Sequence, residues 1–204
     1  RRLLARIHLY TQERLRREIE PVTAQDFMRF LLRWQHVVPE TRREGRRGLL
    51  AVVEQLQGFE LASGAWEESV LPARVANYRA AWLDDLCLSG ETVWGRLAVR
   101  PESDEAASTR SGTVPSRATP ISFACRGDLD WLLSAVRGDA VATLPPAGPA
   151  RQVYDALCER GALFLGEIAG AAGLLPVQVE EGLWDLVSRG VVSADGYESV
   201  RALL

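Results

Sequence analysis

Lysine is absent from this chain, and all 24 of its basic residues are arginine. Arginine offers a planar fork of donors that can bind phosphate with two hydrogen bonds at once. A GC-rich genome produces the same bias, so the absence by itself indicates no function. Histidine is also scarce. His8 and His36 are the only two, and their apolar neighbours favour packing or surface roles over acid–base chemistry.

Cysteine pairs of the kind that bind zinc are missing as well. Cys87, Cys125 and Cys158 lie about 35 residues apart, and none belongs to a CxxC motif. Structural zinc sites take ligands in closely spaced pairs. We therefore expect no metal site, and three buried thiols in a reducing cytoplasm.

Long hydrophobic runs are absent too. No apolar stretch approaches the roughly 20 residues that cross a bilayer. The arginine-rich start does not continue into the apolar core of a signal peptide, and the first residue, Arg1, is not an initiator methionine. We therefore expect a fragment of a longer cytoplasmic protein.

Catalytic motifs are likewise missing. The chain has no GxxxxGK[ST] loop for nucleotide phosphates and no GxGxxG, GxSxG or HExxH motif. Asp84–Asp85 and Glu180–Glu181 are adjacent carboxylates, but neighbours on a helix point about 100° apart and cannot share one site. The sequence therefore predicts no catalytic residue and no metal ligand.

The net charge of −3 hides an uneven distribution. Residues 1–47 hold about 12 arginines against 6 acids, and the remainder holds about 12 against 21. An arginine-rich end favours contact with nucleic acid, although solvated helix faces give the same count. The candidate phosphate contacts, suited to binding without base specificity, are Arg14, Arg16, Arg17, Arg29, Arg33, Arg42, Arg43, Arg46 and Arg47.

The first quarter of the chain has the apolar spacing of helices. The pattern predicts helices over residues 9–20, 24–38 and 49–57. Thr23, followed three positions later by an acid, is predicted to cap the second of them. Residues 41–48, TRREGRRG, have the composition of a basic loop. Three short helices with short connections indicate a compact helical or winged-helix unit.

The middle of the chain combines helix and strand signals. Residues 80–90 are predicted to form a helix that a glycine ends. The β-like runs 92–99 and 120–125 are predicted to pair as a hairpin. Residues 101–118 between them are small, polar and proline-containing, which is typical of a surface loop. A short helix is predicted to follow from Asp128.

The last third predicts a winged helix. Helices are expected over residues 150–160, 166–172 and 176–189, followed by a two-residue hairpin turn at Asp195–Gly196. The exposed acids of the third helix would repel phosphate, so we expect them to contact a neighbouring module or another subunit. These candidate interaction residues are Glu180, Glu181 and Asp185.

These elements together predict a mainly α fold with small β elements (α+β), built from tandem winged-helix-like modules. We expect an arginine-rich module over 1–78, a helix with a β-hairpin over 79–144, and a winged helix over 145–204. Six tryptophans are many for this length. Four fall on apolar helical stripes and are expected in the core: Trp34, Trp82, Trp131 and Trp184. The other two, Trp66 and Trp94, are candidates for exposed contacts.

Four long strings of the sequence are not compositionally generic. They are RIHLYTQERLRREIEPVTAQDFMRFLLRWQHVVPE (6–40), LAVVEQLQGFELASGAWEESVLPARV (50–75), WLDDLCLSGETVWGRL (82–97) and GALFLGEIAGAAGLLPVQVEEGLWDLVSRGVVSADG (161–196). These strings resemble the bacterial Lhr, or large helicase-related, proteins, which are ATP-dependent DNA helicases. The resemblance covers nearly the whole chain except residues 101–118.

The resemblance implies that the motor, which binds ATP and Mg²⁺, lies upstream, and that this chain belongs to the C-terminal region. That region consists of tandem winged-helix modules with a barrel-like insertion, resembles a DNA-glycosylase-like helix-turn-helix family and is associated with oligomer formation. No catalytic residue of the family maps onto this chain. Glycosylase activity in the parent would need residues beyond Leu204.

Two hypotheses for function follow. In the first, the chain is a non-catalytic segment of a DNA-repair helicase that contributes DNA contacts, without sequence specificity, and packs against neighbouring helicase domains. In the second, it is purely an assembly module that joins subunits or domains without touching DNA. Base excision by this segment alone is disfavoured, because no general base lies in a recognisable site.

Overall fold

The computed structural model describes residues 2–17, 21–99 and 116–203, and it divides the chain into two compact units, 1–41 and 42–204. The predicted surface loop at 101–118 therefore lies almost entirely outside the described residues. The predicted division into three modules remains a prediction. No helix among the described residues is long and apolar enough to cross a membrane.

The described residues of the first unit form two helices, α1 (Arg2–Arg17) and α2 (Ala24–Trp34), followed by a 3₁₀ turn (Pro39–Thr41). The predicted cap is present, because Thr23 Oγ1 accepts a hydrogen bond from the Asp26 amide at 3.1 Å. The helix predicted over 24–38 ends at Trp34, and His36 adopts a left-handed φ of 57° just beyond it. Trp34 is 53% exposed, so its expected place in a core is wrong.

The second unit opens with short strands and helices up to residue 88. In order they are β1 (Arg43–Glu44), α3 (Gly45–Leu56), β2 (Leu61–Ala62), α4 (Ser63–Ala65), a π-helical turn (Trp66–Val70), α5 (Leu71–Arg74), β3 (Val75–Ala76) and α6 (Ala80–Leu88). The rest of the unit comprises β4 (Thr92–Gly95), β5 (Pro120–Cys125), a 3₁₀ turn (Arg126–Asp128), α7 (Leu129–Arg137), α8 (Pro149–Arg160), α9 (Leu165–Ala172), α10 (Pro176–Ser188), β6 (Ser193–Ala194) and α11 (Glu198–Leu203).

A winged helix is formed by α3, the helical stretch from α4 to α5, α6 and the hairpin β4–β5. The predicted hairpin is confirmed, with Val93 opposite Ala124 in an antiparallel ladder. The strand β2 pairs with the far side of β5. Four of the described strands make an open sheet in the order β2-β5-β4-β6, and β1 and β3 pair separately. The α+β winged-helix fold is confirmed, and the expected barrel-like insertion is not supported.

The end of the chain completes this sheet and its core. Instead of folding back on itself at Asp195–Gly196, β6 pairs with β4, and α11 follows. Tyr197 and Val200 are each only 1% exposed, and Tyr197 donates a hydrogen bond to the Ser63 carbonyl at 3.0 Å. The predicted C-terminal hairpin is wrong because burial of these two side chains outweighs a local turn preference.

The main core also contains the two tryptophans expected at the surface. Trp66 is fully buried, donates to the Ile121 carbonyl at 3.1 Å and meets the Phe123 ring edge-on at 5.0 Å. Trp94 is 4% exposed and donates to the Gly196 carbonyl at 3.2 Å. Their expected exposure is wrong, because each indole finds both an apolar enclosure and a carbonyl acceptor inside.

Two further expectations about burial are wrong, whereas the helices predicted in the last third of the chain are confirmed. Trp131, expected in the core, is 54% exposed on α7. Cys158, expected to be buried, is exposed, whereas burial raises the pKa of the Cys87 thiol to about 12. The helices α8, α9 and α10 lie close to their predicted positions and enclose a second core, whose buried members are Val153, Ile168, Val179 and Leu186.

Candidate nucleic-acid interface

The first turn of α3 carries arginines where helices usually carry acids. Residues 41–48 are not a loop. Glu44 caps α3 through its backbone alone, and Gly45 follows with a φ of 64°, a left-handed value that favours glycine. Arg46 and Arg47 then lie at the positive end of the helix dipole, with no acid in that turn. This placement opposes the dipole, which is why sequence patterns did not predict helix there.

Arg43 is held against the same helix turn. The strands β1 and β3 pair in parallel, with Arg43 opposite Val75. A Cβ atom on Gly48 would lie 2.8 Å from the Arg43 Cβ, closer than ordinary contacts allow. The glycine therefore permits the backbone of β1 to lie directly on α3. Arg42, Arg43 and Arg47 are all exposed there.

Arg46 reaches across to the turn that joins α6 to β4. Its Nη2 donates to Ser89 Oγ at 3.0 Å and forms an ion pair with Glu91. Ser89 in turn donates to Glu91 Oε1 at 3.1 Å. The hydrogen bond from Arg46 and, second to it, the one from Ser89 hold the pKa of the Glu91 carboxyl below its usual range. Glu91 is thus an ionised counter-ion at neutral pH.

A second arginine, Arg126, contacts the same turn. Its Nε donates to the Gly90 carbonyl at 2.9 Å, and its guanidinium forms an ion pair with Asp195. Sequence reasoning missed Arg126, because no local pattern relates the end of β5 to a turn 36 residues earlier. We name these exposed or half-exposed residues the α3 arginine surface: Arg42, Arg43, Arg46, Arg47 and Arg126.

The remaining candidate arginines belong to the first unit. Arg14, Arg16, Arg29 and Arg33 are exposed on α1 and α2, and Arg29 forms an ion pair with Asp26 at 3.1 Å. The side chain of Arg17 lies outside the described residues. Among the predicted contacts, the structure therefore brings together those at 42–47.

The third helix of the winged helix, α6, and the third helix around the second core, α10, contain no arginine. On α6 the exposed residues include Ala81, Asp85 and Leu88. On α10 Glu180 and Glu181 are exposed as expected. Asp185 differs, since its carboxylate is 22% exposed and binds Arg189 Nε at 3.0 and 3.1 Å. Neither helix presents a basic face to a groove.

The architecture defines a winged-helix protein. A family described as the large helicase-related protein winged-helix domain matches residues 22–114, which include the helices α3 to α6 and the strands β2 and β4. Two curated relatives match almost the whole chain. "Lhr helicase/probable uracil glycosylase" of Mycolicibacterium smegmatis is 32% identical over 201 residues, which are 93% of this chain and 11% of the relative.

"Lhr helicase/uracil glycosylase" of Escherichia coli is 28% identical over 213 residues, covering 97% of this chain and 13% of the relative. Residues 22–114 therefore form a winged-helix domain of the Lhr, or large helicase-related, family, and the similarity to Lhr helicases extends over nearly the whole chain. The chain spans about a tenth of the length of the curated relatives it matches.

Proposed function

We propose that this chain is a non-catalytic segment of an Lhr-type ATP-dependent DNA helicase that acts in DNA repair, and that its α3 arginine surface binds DNA phosphates without base specificity. The observation that carries the proposal is the pair of arginines at the positive end of α3. Both Arg46 and Arg47 cost helix stability there. Local conflicts of this kind concentrate at functional sites.

Physical chemistry supports phosphate as the ligand of this surface. The first amides of a helix point outward and favour anions, and here arginines flank them. Arginine binds phosphate with two parallel hydrogen bonds. The exposed acids Glu180 and Glu181 on α10, and Asp85 as the one exposed charge on α6, disfavour the usual docking of a third helix in the major groove. Contacts would then be made to the DNA backbone.

A salt titration tests the proposal. Affinity for a random-sequence duplex should fall steeply with salt, and each arginine that contacts phosphate should contribute about 0.9 to the slope of log K against log[salt]. Arg43→Gln and Arg47→Gln should each flatten the slope by about that amount. Arg160→Gln, an equal charge change at the exposed end of α8, is the matched control and should not.

Absence of binding at low salt, or equal effects of Arg160→Gln and Arg47→Gln, would contradict a contact at this surface. In the whole protein we propose, ATP and Mg²⁺ bind a separate motor, and this segment also packs against neighbouring domains. We place that protein in the bacterial cytoplasm, at the nucleoid.

A second candidate function, assembly with another copy of the chain, is favoured by apolar side chains on the last helix-turn-helix. Phe164 and Leu175 occupy the N-cap positions of α9 and α10, are 83% and 65% exposed, and cannot cap with a side-chain oxygen. Val177 is 56% exposed on the first turn of α10. The acids Glu180 and Glu181 beyond it complement the α3 arginine surface of a second copy.

The assembly function has a test that loss of folding cannot imitate. Serine at an N-cap stabilises a helix by about 0.5–2 kcal/mol relative to an apolar residue, so Phe164→Ser with Leu175→Ser should raise the melting temperature. The same variant should weaken self-association in light scattering. Phe59→Ser, at another 62% exposed residue, is the control. A wild-type chain that stays monomeric at high concentration would eliminate this candidate.

A further inference from the structure

The α3 arginine surface carries two built-in counter-ions. Of its five arginines, Arg46 is paired with Glu91 and Arg126 with Asp195. Both acids flank the same edge of the unit, because Glu91 follows α6 and Asp195 follows β6, which is bonded to β4. Neither acid belongs to the arginine-rich segment, so only the folded unit places them there.

We propose that Glu91 competes with DNA phosphate for Arg46 and thereby limits the affinity of the α3 arginine surface for DNA. This inference rests on the proposed function and names how the same site is regulated. Asp195 stands in the same relation to Arg126.

The geometry supports competition. The Arg46 side chain is 36% exposed and that of Glu91 is 41% exposed, so the pair is open to a ligand from solvent. Both contacts of Arg46, to Ser89 and Glu91, use the same nitrogen, Nη2. A phosphate that binds this edge of the guanidinium has to displace the carboxylate, and one that binds the opposite edge lies close to a like charge.

The hydroxyl of Ser89 lies within hydrogen-bonding distance of both Arg46 and Glu91. It accepts from Arg46 at 3.0 Å, and its single proton has two acceptors within reach, Glu91 Oε1 and the Leu86 carbonyl, each at 3.1 Å. Glu91 therefore lies beside the guanidinium with two hydrogen-bonding partners, Arg46 and Ser89. A carboxylate at this position lowers the affinity of Arg46 for phosphate, because the phosphate has to replace it.

The opposite role for Glu91 makes an opposite prediction. If the carboxylate orients Arg46 towards phosphate, its removal lowers DNA affinity, since a freely rotating arginine loses more entropy on binding. If the carboxylate competes with phosphate, its removal raises DNA affinity. The sign of one measurement therefore separates the two.

The experiment measures binding of a fluorescein-labelled random-sequence duplex between about 50 and about 200 mM salt. Glu91→Gln should tighten binding by about two- to fivefold, the range expected for releasing one exposed ion pair. Glu159→Gln, the same charge change at an exposed acid on α8, is the control. Arg46→Gln should weaken binding, and in that background Glu91→Gln should bring no gain beyond that of the control.

Unchanged or weaker binding by Glu91→Gln, with the wild type bound, would overturn this inference and leave the proposed function standing. A gain from Glu91→Gln that persists without Arg46 would overturn it too, since the effect would then be one of net charge. If the wild type fails to bind DNA at any salt concentration, the proposed function fails, and this inference fails with it.

Discussion

Substitution of Arg201 tests how the end of the chain is attached to the winged helix. Arg201, on α11, lies between two carboxylates. Its Nε and Nη2 donate to Glu67 at 2.6 and 3.1 Å, and its Nη2 and Nη1 donate to Asp84 at 3.0 and 3.2 Å. Glu67 belongs to the π-helical turn and Asp84 to α6. One guanidinium thus joins three elements.

The expected loss of stability in a variant without Arg201 follows from the burial of the three charged groups. Removing one partner of a fully buried ion pair costs about 3–5 kcal/mol. The side chains of Arg201, Glu67 and Asp84 are 32%, 18% and 25% exposed, so water screens part of the cost. Arg201→Met keeps most of the apolar volume and leaves the carboxylates of Glu67 and Asp84 without their shared partner. We expect the free energy of unfolding to fall by about 2–3 kcal/mol.

Urea unfolding and thermal melting of the full chain provide the measurement. The expected fall in melting temperature is about 5–10 °C for a chain of this size. Arg117→Met is the control. It removes an ion pair between Arg117 and Glu68, whose side chains are 60% and 59% exposed, and should change the melting temperature little. A stability of Arg201→Met equal to wild type, or no recovery when Glu67→Gln is added, would refute the reasoning.

Two further predictions concern packing and alkaline pH. Gly48→Ala should lower the free energy of unfolding, measured in urea, by about 1–3 kcal/mol, because the new Cβ would lie 2.8 Å from Arg43. Gly170→Ala, on α9, is the control and should be neutral or stabilising, because nothing lies within 4 Å of its Cβ. A larger loss of stability in Gly170→Ala than in Gly48→Ala would contradict the close packing of β1 on α3. Burial, with the hydrogen bond to Glu67, raises the pKa of Tyr78 far above its usual range. The neutral phenol therefore stabilises the fold fully below the unfolded-state pKa of about 10, and that contribution is lost as pH rises above it. Tyr78→Phe should flatten the fall in stability above about pH 10, as measured by urea unfolding across pH, and an unchanged slope would argue against this burial.

Local patterns in the sequence predicted the parts of the fold whose cause is local. The hairpin of 92–99 with 120–125, the Thr23 cap and the helices α8 to α10 follow from residue spacing, capping groups and glycine stops, which act within a few positions. The likeness to Lhr proteins was visible in the same strings. Helix boundaries failed at residue 45, where arginines oppose the dipole and disguise the first turn of α3.

Tertiary structure alone decided burial and the composition of the candidate site. The enclosure of Trp66 depends on Phe123 and the Ile121 carbonyl, and that of Trp94 on Tyr197 and the Gly196 carbonyl, all more than 50 positions away. The sequence determined that the first quarter is rich in arginine and that α10 is acidic. Only the fold brings Glu91 next to Arg46 and Asp195 next to Arg126. The attraction between two charges depends on their distance in space, and residues far apart in the sequence can be close in space.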